Sequence, residues 1–202
     1  MRFLRVIIKK ILYITYIKGV IILIIGIIGT FGTYFYTAPP LTLASRKGIG
    51  EFFHIICLGP LITLGISYIL NNTITYLNFI IGLPIGILIT AVLLINEFPD
   101  IKSDKITNKT NLAITLGKNY QLGLKGLIII PYLIIITEII ITNISFFFII
   151  TLITIPYTIK IIKKINTIKK IKKNLKTNCN NIFMLYLYFT SLMIIALILN
   201  II

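Results

Sequence analysis

Apolar residues in this chain come in long runs rather than alternating with polar ones. The runs cover residues 19–36, 52–70, 76–95, 126–141, 144–159 and 182–202, and short polar stretches part them. Several reach the ~18 to 20 residues a helix needs to cross a bilayer, so the pattern predicts an all-α, polytopic membrane protein. The breaks carry their own signals. Pro39 and Pro40 stop the first run because proline lacks a backbone donor and fixes φ. Asn71-Asn72-Thr73 and Asn143 mark turns, and Pro84 between Gly82 and Gly86 predicts a kink beside a small-xxx-small contact. Gly26, Gly29 and Gly32 recur every three residues, which predicts a helix face open to close packing.

The N-terminal stretch, residues 1–18, is basic and apolar. Lys9 and Lys10 interrupt its apolar part and no small-residue cleavage site follows, so it reads as a membrane helix entered late, not as a signal peptide. The layout is one transmembrane domain over 1–202, with about five full spans plus an N-terminal helix remnant.

Composition agrees with a membrane setting. Of 202 residues 57% are hydrophobic and only 12% charged, against about 25% charged in an average soluble protein. A net charge of +15 raises the question of nucleic acid. Here, however, the basic residues lie between apolar spans instead of along one soluble face, which argues against nucleic acid. They act as topology signals. Arg46 and Lys47, then Lys102, Lys105, Lys109 and Lys118, then eight lysines in 160–176 fall in alternate connections, whereas 71–75 and 137–143 have no basic residue. The basic side is expected to be cytoplasmic. That puts the N-terminus inside with Lys9 and Lys10, and the C-terminus outside.

On this basic side lies the acidic stretch Asn96-Glu97-Phe98-Pro99-Asp100-Ile101-Lys102-Ser103-Asp104, which holds three of the chain's five acidic residues. If the backbone stays helical past Pro99, Asp100 and Asp104 share a face, about 5 to 6 Å apart at Cβ. Magnesium is commonly held by one or two carboxylates plus substrate phosphates, and it neutralises a departing diphosphate. Arg46, Lys47 and Lys109 offer donors to phosphate oxygens. A head group on these loops with an apolar tail among the helices describes a polyprenyl diphosphate.

The same residues resemble a known family. The stretch 96–105, followed by Asn108-Lys109-Thr110-Asn111-Leu112-Ala113 through Gly117, resembles the second aspartate-rich motif of the UbiA superfamily of intramembrane prenyltransferases. It is most similar to the branch that includes 1,4-dihydroxy-2-naphthoate polyprenyltransferase. Tyr36-Thr37-Ala38-Pro39-Pro40-Leu41, then Gly48-Ile49-Gly50-Glu51 and Leu58-Gly59-Pro60-Leu61, match that branch in the same order. The resemblance implies a bundle of about nine transmembrane helices around a cavity, transferring a prenyl chain to an aromatic acceptor with Mg²⁺. It implies that Asp100 and Asp104 hold the metal and act in catalysis. Arg46, Lys47 and Lys109 would bind the diphosphate, and Tyr36 and Asn96 would shape the pocket. Glu97 ranks below the aspartates.

The chain also departs from the family pattern, with Asn108, Thr110 and Asn111 where Gly, Arg and Thr are expected, and with no Asp before Asp100. The family's first motif, NxxxDxxxD, is therefore without a counterpart. The resemblance implies a fold lacking the first two to three helices, inactive or nearly so alone, with a separate N-terminal fragment carrying that motif as a partner. A competing reading is a non-catalytic multi-pass protein in which Asp100 and Asp104 pair with Lys102, Lys105 and Lys109. His54 is expected to cap or pack, Cys57 and Cys179 to stay unbridged, and Glu138 to be interfacial near Asn143. The lysine run 160–176 is expected to meet anionic lipid.

Overall fold

The computed structural model describes residues 2–141, 145–165 and 173–200. The expected turn at Asn143 and residues 166–172 of the lysine run lie outside them. The described helices are α1 Arg2–Lys18, α2 Val20–Thr37, α3 Ile49–Leu58, α4 Pro60–Asn71, α5 Tyr76–Glu97, α6 Ile101–Ile106, α7 Leu112–Leu116, α8 Tyr120–Ile141, α9 Ile155–Ile165 and α10 Lys173–Leu199. Six stretches among the described residues are long and apolar enough to cross a membrane: Val20–Thr37, Ile49–Asn71, Tyr76–Ile106, Leu112–Ile141, Phe146–Ile165 and Thr177–Leu199. The protein is a multi-pass membrane helical bundle. The six stretches coincide one for one with the six apolar runs, and both arms of the hairpin before α10 lengthen beyond their apolar limits. The first gains α7 and the start of α8, and the second gains the 3-10 helix Phe146–Thr154 that leads into α9.

The run 52–70 does not form one helix. It breaks at Gly59 (φ −114°, ψ −97°), where Pro60 opens α4 because its missing N–H would have no helical partner there anyway. The break is also where α5 comes closest. A Cβ on Gly86 would collide with the Ile55 carbonyl oxygen, and one on Gly82 would lie 2.6 Å from Pro60 Cα. Small residues thus let two backbones touch, the contact that holds helices together where lipid removes the hydrophobic incentive. Pro84 lies between the two glycines, inside the continuous α5.

α5 is the axis of the bundle. Its Leu88, Ala91, Leu94 and Ile95 are buried in one core with Leu124, Ile128 and Ile135 of α8 and Ile182, Leu185 and Phe189 of α10. Polar groups tie the same helices. Tyr120 donates to the Leu94 carbonyl at 2.7 Å, and the Tyr132 hydroxyl lies 2.6 Å from both Thr154 and Thr158. Glu138, three residues before the end of α8, is buried, and Tyr76 at the start of α5 donates to it at 3.1 Å. The three glycines of α2 do not share one partner either: Gly26 meets Ile11 of α1, Gly29 meets Leu61 of α4 and Gly32 meets Cys57 of α3.

Candidate functional site

At the end of α5 the backbone does stay helical past Pro99. A 3-10 turn, Phe98–Asp100, passes directly into α6, so Asp100 and Asp104 sit in consecutive turns. Asp100 is exposed and Asp104 half-buried. Both Asp104 oxygens have partners. Lys109 Nζ donates to Oδ1 at 2.9 Å, and Asn111 Nδ2 donates to Oδ2 at 3.2 Å. The Lys109 ammonium is held above its usual pKa, first by that hydrogen bond and next by the Asp104 charge, against partial desolvation, with Asp100 and Glu97 adding smaller attractions.

Across from this turn lies the loop after α2. It contains a short 3-10 turn, Leu43–Ser45, followed by Arg46, Lys47 and Gly48. Gly48 takes φ +84°, a left-handed conformation that favours glycine. The loop is docked on the acidic side of the molecule. Thr110 N–H and its hydroxyl both donate to the Ser45 carbonyl, at 3.0 and 2.8 Å, and Arg46 and Thr110 form an isolated parallel bridge. Glu51, in the first turn of α3, accepts from Leu112 N–H at 2.8 Å. The two stretches singled out in the sequence, 36–51 and 96–117, are therefore joined in space. Arg46 and Lys47 are exposed, and Arg46 Nη2 also donates to the Pro40 carbonyl at 3.3 Å.

Beside the joined loops, Gly32, Thr33, Tyr36, Phe53, His54 and Cys57 line most of an apolar cavity of about 180 Å³. His54 is hydrogen-bonded through Nδ1 to Thr90 at 2.9 Å, and its ring centroid lies 6.2 Å from that of Tyr36. Tyr36 thus faces a cavity, whereas Asn96 does not line it. Asn96 accepts instead from Cys179 Sγ at 2.8 Å, which turns it toward α10. Cys57 and Cys179 are both free.

The donor set suits a hard cation of the magnesium type. Among the described residues no group of three or more His, Cys, Asp and Glu side chains is placed to hold a metal by itself. Magnesium does not need one, since it keeps waters and shares itself with phosphates. Glu97 Oε2 is buried without a hydrogen-bond partner, an acceptor oxygen still to be satisfied close to Asp100 and Asp104 in the chain. A cation at Asp104 would exchange with Lys109, which is then free to turn toward an anion.

Sequence reasoning passed over two residues. Glu51 is the one acid before Glu97 and adjoins the apolar run 52–70, and that isolation was its signal in the sequence; in the structure it is 3% exposed. Asn111 departs from the family pattern, and its side chain caps α7, accepting from Ile114 N–H at 3.0 Å, while it reaches Asp104.

A family model described as "UbiA prenyltransferase family" matches residues 10–187. A 1,4-dihydroxy-2-naphthoate octaprenyltransferase of Bacillus subtilis (strain 168) is 37% identical over 84 residues, 42% of this chain and 27% of that protein. The match thus spans about a quarter of the relative's length. No solved structure matches significantly.

Proposed function

The chain belongs to the UbiA prenyltransferase family, and from that premise we propose that it transfers a prenyl chain from a polyprenyl diphosphate to an aromatic acceptor of the dihydroxynaphthoate type. The observation that carries this reading is the docking of the Arg46 loop on the Asp104 turn through Thr110, Ser45, Leu112 and Glu51. It ties the loop that carries Arg46 and Lys47 to the turn that carries Asp104 and Lys109, and Tyr36 just before that loop lines an apolar cavity, which supports recognition of a diphosphate head with an apolar tail. The relative's name supports the acceptor class.

In this reading Asp100 and Asp104 hold Mg²⁺, which when bound neutralises the leaving diphosphate. Arg46, Lys47 and Lys109 bind its outer oxygens, Arg46 as a planar fork and the lysines as point charges. Breakage of the allylic C–O bond leaves its electron pair on the diphosphate and positive charge on the prenyl carbon. The Tyr36 ring face stabilises that charge, and the apolar lining around it keeps water away. The paired loops face the cytoplasm, with the N-terminus on that side and the C-terminus outside, which the lysine placement supports.

The test is Mg²⁺-dependent binding and transfer of a labelled polyprenyl diphosphate in vesicles, with the chain alone and with an NxxxDxxxD segment supplied. Asp104→Asn is expected to weaken Mg²⁺-dependent binding by about 100-fold, on the scale of a lost charge-assisted contact. Unchanged binding in both Asp100→Ala and Asp104→Asn would instead favour a non-catalytic membrane protein, for which the Asp104–Lys109 ion pair is the supporting observation.

A further inference from the structure

Glu51 is an acid in an apolar setting that the proposed chemistry does not use. It is 3% exposed, one oxygen accepts from Leu112 N–H at 2.8 Å, and the other is buried without a partner. Burying a carboxylate is costly, so its retention calls for a function. We propose that Glu51 is a positioning residue that clamps the 110–112 turn and, through Asn111, sets the Asp104 carboxylate against the Arg46 loop. The inference rests on the functional reading above for its consequence, and on geometry alone for the clamp.

The clamp has two jaws. On one side, Thr110 is fastened to Ser45 by its N–H and its hydroxyl. On the other, Leu112 is fastened to Glu51. Asn111 lies between them, 3% exposed, and has no freedom to turn. Its oxygen caps α7 and its amide nitrogen points at Asp104 Oδ2.

The base of Glu51 is equally fixed. A Cβ on neighbouring Gly50 would lie 2.8 Å from both Ala44 Cα and the Leu43 carbonyl oxygen, so the first turn of α3 rests directly on the 3-10 turn that leads to Arg46. Glu51 thus stands on the cationic loop and grips the acidic one across 61 positions of sequence. With the grip in place, Asp104 keeps Oδ2 on Asn111 and offers Oδ1, now on Lys109, to exchange.

Two measurements on the full chain in nanodiscs test this. With the free thiols removed by Cys57→Ala and Cys179→Ala in every variant, spin labels at Lys47→Cys and Asn108→Cys report the separation of the two loops whether or not any substrate binds. The distance distribution is expected to be narrow in the parent and in Glu51→Gln, which keeps an acceptor for Leu112 N–H, and broad in Glu51→Leu. The Mg²⁺ concentration for half-maximal binding of inorganic diphosphate is the second readout. Glu51→Leu is expected to raise it about tenfold, the scale of one hydrogen bond to a charged group. Glu51→Gln should stay within about threefold. Asn111→Ala is expected to match the Glu51→Leu shift with Glu51 intact, and the double variant to be no worse than either, because both act in one chain of contacts.

Unchanged distances in Glu51→Leu overturn the clamp, and so does a Glu51→Gln variant as impaired as Glu51→Leu. If diphosphate binding in the parent is indifferent to Mg²⁺ or to Asp104→Asn, the functional reading falls, and the spin-label distances still decide the clamp by themselves.

Discussion

α2 and α5 are both apolar enough to cross a bilayer, yet they occupy opposite positions in the molecule. Of the most apolar part of Tyr76–Ile106, 56% is buried within the protein, against 11% of Val20–Thr37. Thr177–Leu199 equals Tyr76–Ile106 in mean hydropathy, 2.5, yet only 28% of it is buried, so hydropathy alone does not decide which helix is central. What differs is the close backbone crossing and the polar ties: Gly82 and Gly86 of α5 meet the α3–α4 break, and Leu94 accepts from Tyr120 of α8. In lipid, where an exposed Ile loses little, packing of small residues and hydrogen bonds select the axis. α2 keeps Ile24, Ile27, Ile28 and Phe31 exposed to the surroundings.

Placing the same kind of substitution in both helices tests the contrast most strongly. Gly86→Ala is expected to cost more than about 3 kcal/mol or to prevent folding, because its new Cβ meets the Ile55 backbone and not a side chain that can move. Gly29→Ala in α2 meets only Leu61 Cδ2 at 3.4 Å and should stay within about 0.5 kcal/mol. Thermal melting in a mild detergent reads both. Similar losses from the two variants would mean that the crossing at Gly86 is not what makes α5 central.

Tyr132→Phe comes next in size. Its hydroxyl joins α8 to Thr154 and Thr158, and hydrogen bonds between membrane helices average about 0.6 kcal/mol with a maximum near 1.7. A loss of about 1 kcal/mol is expected by the same melting measurement. No loss would leave packing alone to hold the α8 side of the axis.

The contrast between α2 and α5 also shows what the sequence could display. The spans and the two motifs were legible because hydrophobic runs and punctuating prolines are local properties. At Gly59 the breaker pair Gly59-Pro60 is local, but the reason for the break is not, since what it accommodates, Gly86, is distant in sequence. The same limit hid the Glu51 contact with Leu112, 61 positions away. The role of Asn111 was hidden for a different reason: a departure from the family pattern shows only the loss of a threonine, whereas an asparagine can cap a helix and reach a carboxylate at once.

The smallest expected effect belongs to the Asp104–Lys109 pair, which lies outside the packed axis. The Lys109 side chain is 47% exposed, so solvent screens the 2.9 Å contact. Its folded pKa lies above the unfolded value, mainly through the hydrogen bond to Asp104. The contribution to stability is therefore complete below the unfolded lysine value of about 10.4 and is lost as pH rises through the higher folded value. Melting should show no change from this pair between about pH 6 and 9. Above that range the parent should lose slightly more stability than Lys109→Met, and the difference between the two curves separates Lys109 from the other lysines and tyrosines that titrate there. Superimposable alkaline curves would mean the ion pair does not hold the turn, and that its position depends on the bonds from Thr110 to Ser45 and from Leu112 to Glu51.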